Sequence, residues 1–295
     1  MKTFFITGAT GLLGSALIKS LQRENRIIAL VRNKEKAECV FKEHKNISFV
    51  HGNVAEKNSI DEPIDYIVHG ANPTASKEFV NNPVETIKTI YEGTLNTLEL
   101  AKEKNVKGYL YLSSMEVYID IDTTNIRSCY PKGKLLAESL CASYFHEYGV
   151  NAKIARLAQT FGPGIDIEND NRVFAQFARA AKEKKDIVLR TKADVKRSYC
   201  YITDAVSAMQ CILAKGAGGE FYDVASKISP ASIREMAECF GNVVFDIVPD
   251  ADKLYPPASE IILDTAKLES LGWVPDKDIE KGGIREMCRR VMENV

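Results

Sequence analysis

The chain has 295 residues, 45% of them hydrophobic and 27% charged, with 18 Gly and 10 Pro. This composition is typical of an ordinary globular protein with one large domain or two unequal ones, and it excludes a disordered, fibrous or collagen-like chain. Lys and Arg together number 39 against 40 Asp and Glu, so the net charge is −1. No large positive field is available to bind nucleic acid or an anionic membrane.

The seven cysteines favour a reducing, cytoplasmic location. They are odd in number and never spaced as C-x-x-C, so they indicate neither a disulfide framework nor a zinc site, and we expect no bound metal. No apolar run approaches the ~18–20 residues of a membrane-spanning helix. The N-terminal stretch superficially resembles a signal peptide, but Gly8, Gly11 and Gly14 interrupt it, so we interpret it as part of the fold.

The first half of the chain alternates short β-branched or aromatic runs with longer helical patterns. This alternation predicts a parallel sheet covered on both faces. The predicted strands are Thr3–Thr7, Ile27–Val31, Ile47–Val50, Tyr66–His69, Gly108–Leu112 and Lys153–Arg156. Apolar residues recur at three and four in the helices Pro83–Lys104 and Lys132–Tyr148. Right-handed crossovers between such elements give a doubly wound parallel Rossmann sheet.

The pattern changes after Phe161, and from Ser229 short strands and helices mix without a βαβ rhythm. Between these points the sequence first predicts a helix ending near Lys185 and a strand Ile187–Leu189. It then predicts a strand Tyr199–Ile202 and a helix Asp204–Leu213, and we interpret these two as one more strand and helix of the main sheet. The α/β chain is therefore divided into a Rossmann domain and a smaller α/β C-terminal substrate lobe. Their predicted bounds are 1–161 plus 199–228 for the former and 162–198 plus 229–295 for the latter.

A glycine-rich loop follows the first predicted strand and opens an amphipathic helix, Leu12–Leu21. Gly8 permits a tight turn, Gly11 lets backbone N–H groups approach a pyrophosphate, and Gly14 lets the helix pack close to the strand. The helix N-terminus adds partial positive charge beside the phosphates. The loop predicts a dinucleotide site that includes Gly8, Thr10, Gly11, Leu12, Leu13 and Gly14.

The end of the second predicted strand bears on the choice of dinucleotide. An acidic residue there would accept hydrogen bonds from the ribose 2′-OH, whereas this chain has Arg32. A guanidinium can instead pair with a 2′-phosphate. The predicted cofactor is therefore NAD(P), with NADP slightly favoured over NAD; the alternative is a solvated arginine in an NAD enzyme.

Tyr130 and Lys134 lie four residues apart at the start of a predicted helix, so they share one face. An ammonium beside a phenol favours the phenolate and is expected to lower the tyrosine pKa from its usual ~10. Such a tyrosine can take the proton from a substrate hydroxyl. Ser114, just beyond the strand Gly108–Leu112, can hydrogen-bond the oxygen whose charge changes.

These motifs resemble the extended short-chain dehydrogenase/reductases, and within them the NAD-dependent nucleotide-sugar epimerase/dehydratase family, including UDP-glucuronate decarboxylase-like members. The resemblance covers most of the chain through TGATGLLG, HGA at 69–71, EGTLN at 92–96, SSMEVY, the Tyr130/Lys134 pair, RLAQTFGP and RSYCYITDA.

The resemblance implies roles for matching positions. Ser114, Tyr130 and Lys134 become the catalytic residues, with Lys134 also binding the nicotinamide ribose. The further residues implied are Asn53, Val54, Gly70 and Ala71 at the cofactor, Arg197 on the nucleotide diphosphate, and Gln159, Asn171 and Arg172 at the substrate. For Arg197 the alternative is a surface ion pair with Asp194 or Asp204. The family also implies a homodimer formed through the helices Pro83–Lys104 and Lys132–Tyr148.

The reaction subtype depends on the residues after Ser114. Resembling dehydratases carry Asp-Glu before Val-Tyr and decarboxylases carry Ser-Glu, whereas this chain has Met115-Glu116. Met115 cannot donate a proton, which disfavours dehydration, and Glu116 brings a carboxylate near the sugar unless it points away towards the backbone. We rank a nucleotide-sugar epimerase first because it needs the fewest additional groups. The alternatives are a decarboxylase-like enzyme, an NADPH-dependent reductase of a small carbonyl compound, and a catalytically idle cofactor-binding regulator.

Overall fold

Strands and helices alternate along the chain in the computed structural model, which describes residues 1–42, 45–164, 167–168, 170, 172–248 and 259–294. The strands are β1 (Thr3–Thr7), β2 (Arg26–Val31), β3 (Ile47–His51), β4 (Tyr66–His69), β5 (Gly108–Ser114), β6 (Ala152–Leu157), β7 (Gln159–Phe161), β8 (Ile187–Leu189), β9 (Lys196–Arg197), β10 (Tyr199–Tyr201), β11 (Phe221–Val224), β12 (Ala231–Ser232) and β13 (Val243–Phe245). The helices are α1 (Leu12–Leu21), α2 (Lys34–Val40), α3 (Ser76–Asn81), α4 (Pro83–Glu103), α5 (Cys129–Tyr148), α6 (Val173–Lys182), α7 (Ile202–Lys215), α8 (Ile233–Phe240), α9 (Ala266–Glu269) and α10 (Lys277–Met292). Short 3₁₀ helices span Met115–Tyr118 and Ile126–Ser128.

The central sheet has seven strands in the order β11-β6-β5-β4-β1-β2-β3. Every neighbouring pair in it is parallel. The direction of winding reverses between β1 and β4, and this switch point is where doubly wound sheets open a crevice for ligands. The predicted doubly wound Rossmann fold is confirmed, and six of the seven strands match the predicted ones to within two residues at either end.

The interpretation of Tyr199–Ile202 as a strand of the main sheet is wrong. β10 instead pairs with β7 in a separate two-stranded sheet, and the seventh strand of the main sheet is β11, which pairs with β6. Burial explains the error, because β10 is buried at every residue and so has the apolar run of an interior strand. β11 lies at the sheet edge with Phe221 exposed, and its sequence carries no such run.

Helices cover both faces of the sheet because successive residues of each strand point to opposite sides. Phe4 and Ile6 of β1 belong to the core that includes residues of α1 and α7. Phe5 belongs to the opposite core, which includes residues of α4 and α5. The site described below is built on the α4/α5 face and on the carboxyl ends of the strands.

A third hydrophobic cluster joins α6, α8 and α10 to β8 and β10. The C-terminal segment contributes to two cores. α10 belongs to this third cluster, whereas Leu268 and Trp273, which precede α10, pack in the α1/α7 core. Trp273 Nε1 also donates to Ser207 Oγ of α7 at 2.9 Å. The division into the two predicted lobes stays a prediction. Among the described residues, no helix combines the length and the apolar character needed to cross a membrane.

Candidate active site

The glycine loop and the turn after β4 meet at the switch point of the sheet. Gly8 has φ +72°, and a Cβ on it would lie 2.6 Å from the carbonyl carbon of Gly70. A Cβ on Gly14 would lie 2.2 Å from the Gly8 oxygen. Thr7 Oγ1 fixes the facing turn by accepting from the N–H groups of Gly70 at 3.2 Å and Ala71 at 3.1 Å. A side chain at Gly8 would therefore force the loop away from the turn after β4, and one at Gly14 would force α1 away from the loop.

The start of α1 has the features of a phosphate cradle. Gly11 is its N-cap and supplies no side-chain cap. The first intrahelical bond runs from Ser15 N–H to the Gly11 oxygen at 2.9 Å. The N–H groups of Leu12, Leu13 and Gly14 precede it and are the ones a helix leaves for an external acceptor. Together with Thr10 in the same loop, these groups fit the pyrophosphate of a dinucleotide.

A cavity of about 560 Å³ lies at the ends of β2 and β3, and Arg32, Asn53 and Lys57 are among its lining residues. The Asn53 side chain accepts from Ala55 N–H at 3.1 Å and shapes the turn. Val54 is buried, and a Cβ on Gly93 would lie 3.0 Å from one of its methyl groups. Asn53 and Arg32 thus face the cavity, whereas Val54 packs on α4.

The three proposed catalytic residues lie side by side. Tyr130 and Lys134 are buried on α5, and the Tyr130 hydroxyl is hydrogen-bonded to Ser114, at the end of β5. The Tyr130 ring stacks on Phe79 with centroids 4.3 Å apart. Lys134 Nζ donates to the Leu112 oxygen at 2.8 Å and lies 5.7 Å from the centre of the Tyr130 ring.

The expected lowering of the Tyr130 pKa by Lys134 is not found. Burial raises the pKa of Tyr130 well above its usual value, and the nearby Glu116 raises it further. Burial also lowers the pKa of Lys134 to about 7, against the attraction of Glu138. The physical reason is that both groups are removed from water, while the ammonium points to a backbone carbonyl and not to the phenol.

Glu116 is held close to this group by the first 3₁₀ helix. Its N–H donates to Ser114 Oγ at 3.2 Å, so the serine caps the turn that carries the carboxylate. Burial raises the pKa of Glu116, while the positive charges of Arg127 and Arg197 act in the opposite direction. The carboxyl group therefore shares its surroundings with two arginines.

Arg127, which the sequence analysis did not single out, is 3% exposed. Its Nε and Nη1 atoms have no hydrogen-bond partner in the described part of the chain. The guanidinium lies 5.6 Å from the centre of the Phe79 ring, the ring on which Tyr130 stacks. A buried guanidinium without acceptors is unfavourable, so Arg127 is a strong candidate to meet a ligand.

The residues expected at the substrate differ in their partners. Arg197 is 8% exposed and donates to the Ser259 oxygen at 3.3 Å. Its alternative partners are engaged elsewhere: Asp194 with Arg234 and Asp204 with Ser226.

Two of the other expected substrate residues lie in described parts of the chain, on β7 and next to α6. Arg172, at the start of α6, forms an ion pair with Asp170. Gln159 pairs with Tyr199 in the β7/β10 sheet. Asn171 lies outside the described residues.

Besides Glu116 with its arginines, an ion pair forms between Arg156 and Glu138, one helical turn after Lys134. Glu138 accepts from Ser113 Oγ at 2.5 Å and from Arg156 Nε at 3.0 Å and Nη2 at 2.6 Å. Arg156 Nη1 also donates to Tyr118 Oη at 2.8 Å. This chain of contacts satisfies both charges and joins α5 to β5 and β6.

Helical spacing could have predicted one of the two additional residues on the α5 side. Glu138 lies four residues after Lys134 and so shares its face of α5, whereas Arg127 lies three residues before Tyr130, in the 3₁₀ helix that precedes α5. In contrast, Phe79 has no sequence signal, because it reaches Tyr130 from α3. Among the described residues, no group of three or more His, Cys, Asp or Glu is placed to bind a metal ion.

The chain is similar in sequence and in fold to known proteins. Residues 4–225 match the model of the NAD dependent epimerase/dehydratase family. Curated relatives include UDP-glucuronic acid decarboxylase 1 of Xenopus tropicalis, 30% identical over 72% of this chain and 53% of the relative, and that of Danio rerio, 28% identical over 95% and 71%. The chain thus spans about half the length of the Xenopus protein. The solved structure of Thermotoga maritima UDP-glucose 4-epimerase with UDP-glucose shares the fold, with TM-score 0.81, 18% identity and coverage of 99% and 98%. The chain belongs to the NAD dependent epimerase/dehydratase family of enzymes.

Proposed function

We propose that the chain is an NAD(P)-dependent decarboxylase of a UDP-uronate, with UDP-glucuronate as the first substrate to test. The observation that carries this proposal is the half-buried Glu116, whose carboxyl interacts with the positive charges of Arg127 and Arg197 beside the Ser114–Tyr130 pair. The sequence alone favoured an epimerase because that reaction needs the fewest groups. An epimerase has no use for this carboxyl and its arginines, and the curated relatives described above support decarboxylation.

The cofactor would lie in the crevice at the switch point. Gly8, Thr10, Gly11, Leu12, Leu13 and Gly14 would hold its pyrophosphate, Arg32, Asn53 and Val54 would border its adenosine, and Gly70, Ala71 and Lys134 its nicotinamide half. When bound, it supplies a reversible hydride acceptor for the sugar. Arg32 and Lys57 at the adenosine cavity support a slight preference for NADP over NAD.

Tyr130 would accept the proton of the sugar 4-hydroxyl as this carbon is oxidised to a ketone, and the positive charge of the oxidised cofactor would offset the raised pKa that burial gives the phenol. The ketone is then β to the carboxylate, so the bond to the carboxyl carbon can break as CO2 leaves. Its electron pair moves onto the 4-oxygen, where Ser114 and Tyr130 donate hydrogen bonds to the developing charge. Reduction of the regenerated ketone, with the proton returned by Tyr130, gives the UDP-pentose.

Glu116 supplies the proton that the ring carbon needs after CO2 has left. Burial raises its pKa, which favours the protonated carboxyl. The net reaction consumes one proton, which Glu116 regains from solvent. Arg197, Gln159, Asn171 and Arg172 would hold the nucleotide diphosphate and the sugar, as the family resemblance implies.

Association as a homodimer is part of the same proposal. Apolar side chains on the outer surfaces of α4 and α5 support it, since Val84, Ile87, Tyr91 and Leu136 are exposed. Light scattering after size exclusion would test it, and a monomeric mass would contradict it.

The seven cysteines are all free, which supports the reducing cytoplasm as the location.

The test of the reaction is incubation of the purified protein and oxidised cofactor with UDP-glucuronate, UDP-glucose and dTDP-glucose, followed by NMR and CO2 detection. We expect CO2 and a UDP-pentose from UDP-glucuronate only, and no product with Tyr130→Phe. Epimerised UDP-glucose without CO2 would favour the epimerase, and a 4-keto-6-deoxy sugar the dehydratase. No change in any sugar would contradict a nucleotide-sugar activity and favour the small-carbonyl reductase or the idle regulator.

A further inference from the structure

Two cysteines lie together where α8 packs against α10. Cys239, one residue before the end of α8, is half-buried, and Cys288, on α10, is 0% exposed. The Cys239 side chain packs against the third hydrophobic cluster, of which Cys288 is a member, and the two thiols are close enough to hydrogen-bond to each other. Both thiols are free. The pair thus combines one thiol that a small solute can reach with one thiol buried directly behind it.

Cys239 is the thiol of the pair that ionises more readily. Hydrogen bonding with Cys288 and the positive charge of Arg285 lower the pKa of Cys239. Burial and the negative charges of Glu238 and Glu235 act in the opposite direction. The Cys239 thiol also donates to the Glu235 oxygen at 3.1 Å, which fixes the sulfur against its own helix. Because the thiolate is the nucleophilic form, Cys239 should react before Cys288.

The other cysteines have different surroundings. Burial raises the pKa of each of three buried cysteines, Cys129, Cys141 and Cys200. Cys211 is half-buried like Cys239, but burial raises its pKa, and its thiol lies 3.9 Å from the Leu271 oxygen. Selective oxidation is therefore expected at Cys239, and Cys211 provides a matched comparison of similar exposure.

We propose that Cys239 and Cys288 form an oxidation site for hydrogen peroxide, which converts them reversibly into a disulfide that ties α8 to α10. The Cys239 thiolate attacks one peroxide oxygen, the O–O bond breaks, and the departing hydroxide takes up the proton that Cys239 had lost. The Cys288 sulfur then attacks the sulfenic sulfur of Cys239, and the S–O bond breaks as the departing hydroxide takes the Cys288 proton. Two thiols lose two electrons in all, and one peroxide is reduced to two water molecules.

The disulfide would join two helices that border the segment carrying Arg197. α8 begins directly after β12, and Ala231 of β12 pairs with Arg197 of β9. On α10, the Arg290 guanidinium lies 5.6 Å from the centre of the Tyr201 ring of β10. A cross-link between α8 and α10 restricts local opening of the strands attached to them. Oxidation should therefore make the β9/β12 pair more rigid, whichever sugar the enzyme acts on.

The test uses the full chain with Cys39→Ser, which removes the exposed thiol. After peroxide treatment, mass spectrometry should show the loss of two hydrogen atoms and a cross-linked Cys239–Cys288 peptide, and dithiothreitol should reverse both. The urea midpoint of unfolding should rise, because the cross-link constrains the unfolded chain. Amide hydrogen exchange in β9 and β12 should slow by about tenfold or more.

Three further substitutions, each made in the Cys39→Ser chain, assign the disulfide to this pair. Cys211→Ser is the matched control and should form the disulfide at an unchanged rate. In Cys288→Ala the sulfenic acid of Cys239 should persist and react with dimedone. Cys239→Ser should form no intramolecular disulfide, and it carries the test if the substitution of the buried Cys288 unfolds the protein.

Three results would overturn the inference. Oxidation of Cys239 to a sulfinic acid without a cross-link would show that the two sulfurs do not meet. A disulfide that still forms in Cys239→Ser would place the oxidation site elsewhere. A Cys239–Cys288 disulfide with unchanged hydrogen exchange in β9 and β12 would refute the coupling to the segment that carries Arg197.

Discussion

Two arginine–glutamate pairs border the candidate site, and they differ in how completely they satisfy each other. Arg156 and Glu138 share hydrogen bonds of 2.6 to 3.1 Å, with further partners in Ser113 and Tyr118. Arg127 and Glu116 interact only through their charges, and Arg127 retains unpartnered nitrogens within the described structure. The hydrogen bonds of the first pair are complete without a ligand, whereas those of the second are not. We therefore expect the first pair to act in stability and the second in binding.

We expect the largest effect on turnover from a substitution of Tyr130. Tyr130→Phe removes the proton acceptor but leaves the phosphate and ribose contacts, so turnover should fall at least about 10²–10⁴-fold with cofactor affinity nearly unchanged. Product formation and calorimetric cofactor titration measure the two quantities. Equal turnover in the variant would refute the assignment of Tyr130.

The two arginine–glutamate pairs should differ in how much they contribute to the stability of the fold. Glu138→Ala leaves the half-buried Arg156 guanidinium without its carboxylate partner, which should lower the free energy of unfolding by about 3 kcal/mol. Arg127→Met removes no hydrogen bond made by the Arg127 Nε or Nη1 atom and should cost only about 1 kcal/mol or less. Urea denaturation of both variants measures the difference. Similar losses in the two would contradict the distinction between a structural and a binding pair.

Glu116→Gln tests the chemistry of the incomplete pair. Because glutamine cannot deliver a proton, formation of the UDP-pentose should fall about a hundredfold, while oxidation of the sugar continues and reduced cofactor accumulates. The wild-type rate should fall as pH rises through the raised pKa of Glu116, since the protonated acid is then lost. This alkaline limb should be absent in the variant. If the alkaline limb persists in Glu116→Gln, it arises from a titrating group other than Glu116.

The smallest effect is expected furthest from both pairs, at the adenosine cavity. Arg32→Asp replaces a cation with an acceptor for the ribose 2′-OH, so the preference for NADP over NAD should reverse, each affinity changing about tenfold. Calorimetric titration with both dinucleotides provides the measurement. Tighter NAD binding by the wild type would show that Arg32 is a solvated surface residue.

The amino-acid sequence determined the parts of this protein that depend on local spacing. The glycine loop, the Tyr130/Lys134 pair and six strands of the sheet follow from patterns within a few residues, since turns, helix faces and strand alternation are set locally. Only the tertiary structure decided that β11, and not β10, completes the sheet. It also decided which side chains meet at the site, because Glu116, Arg127 and Phe79 come from separate segments. Hydrogen-bond satisfaction, and with it the difference between the two arginine–glutamate pairs, exists only once these segments have packed and excluded water.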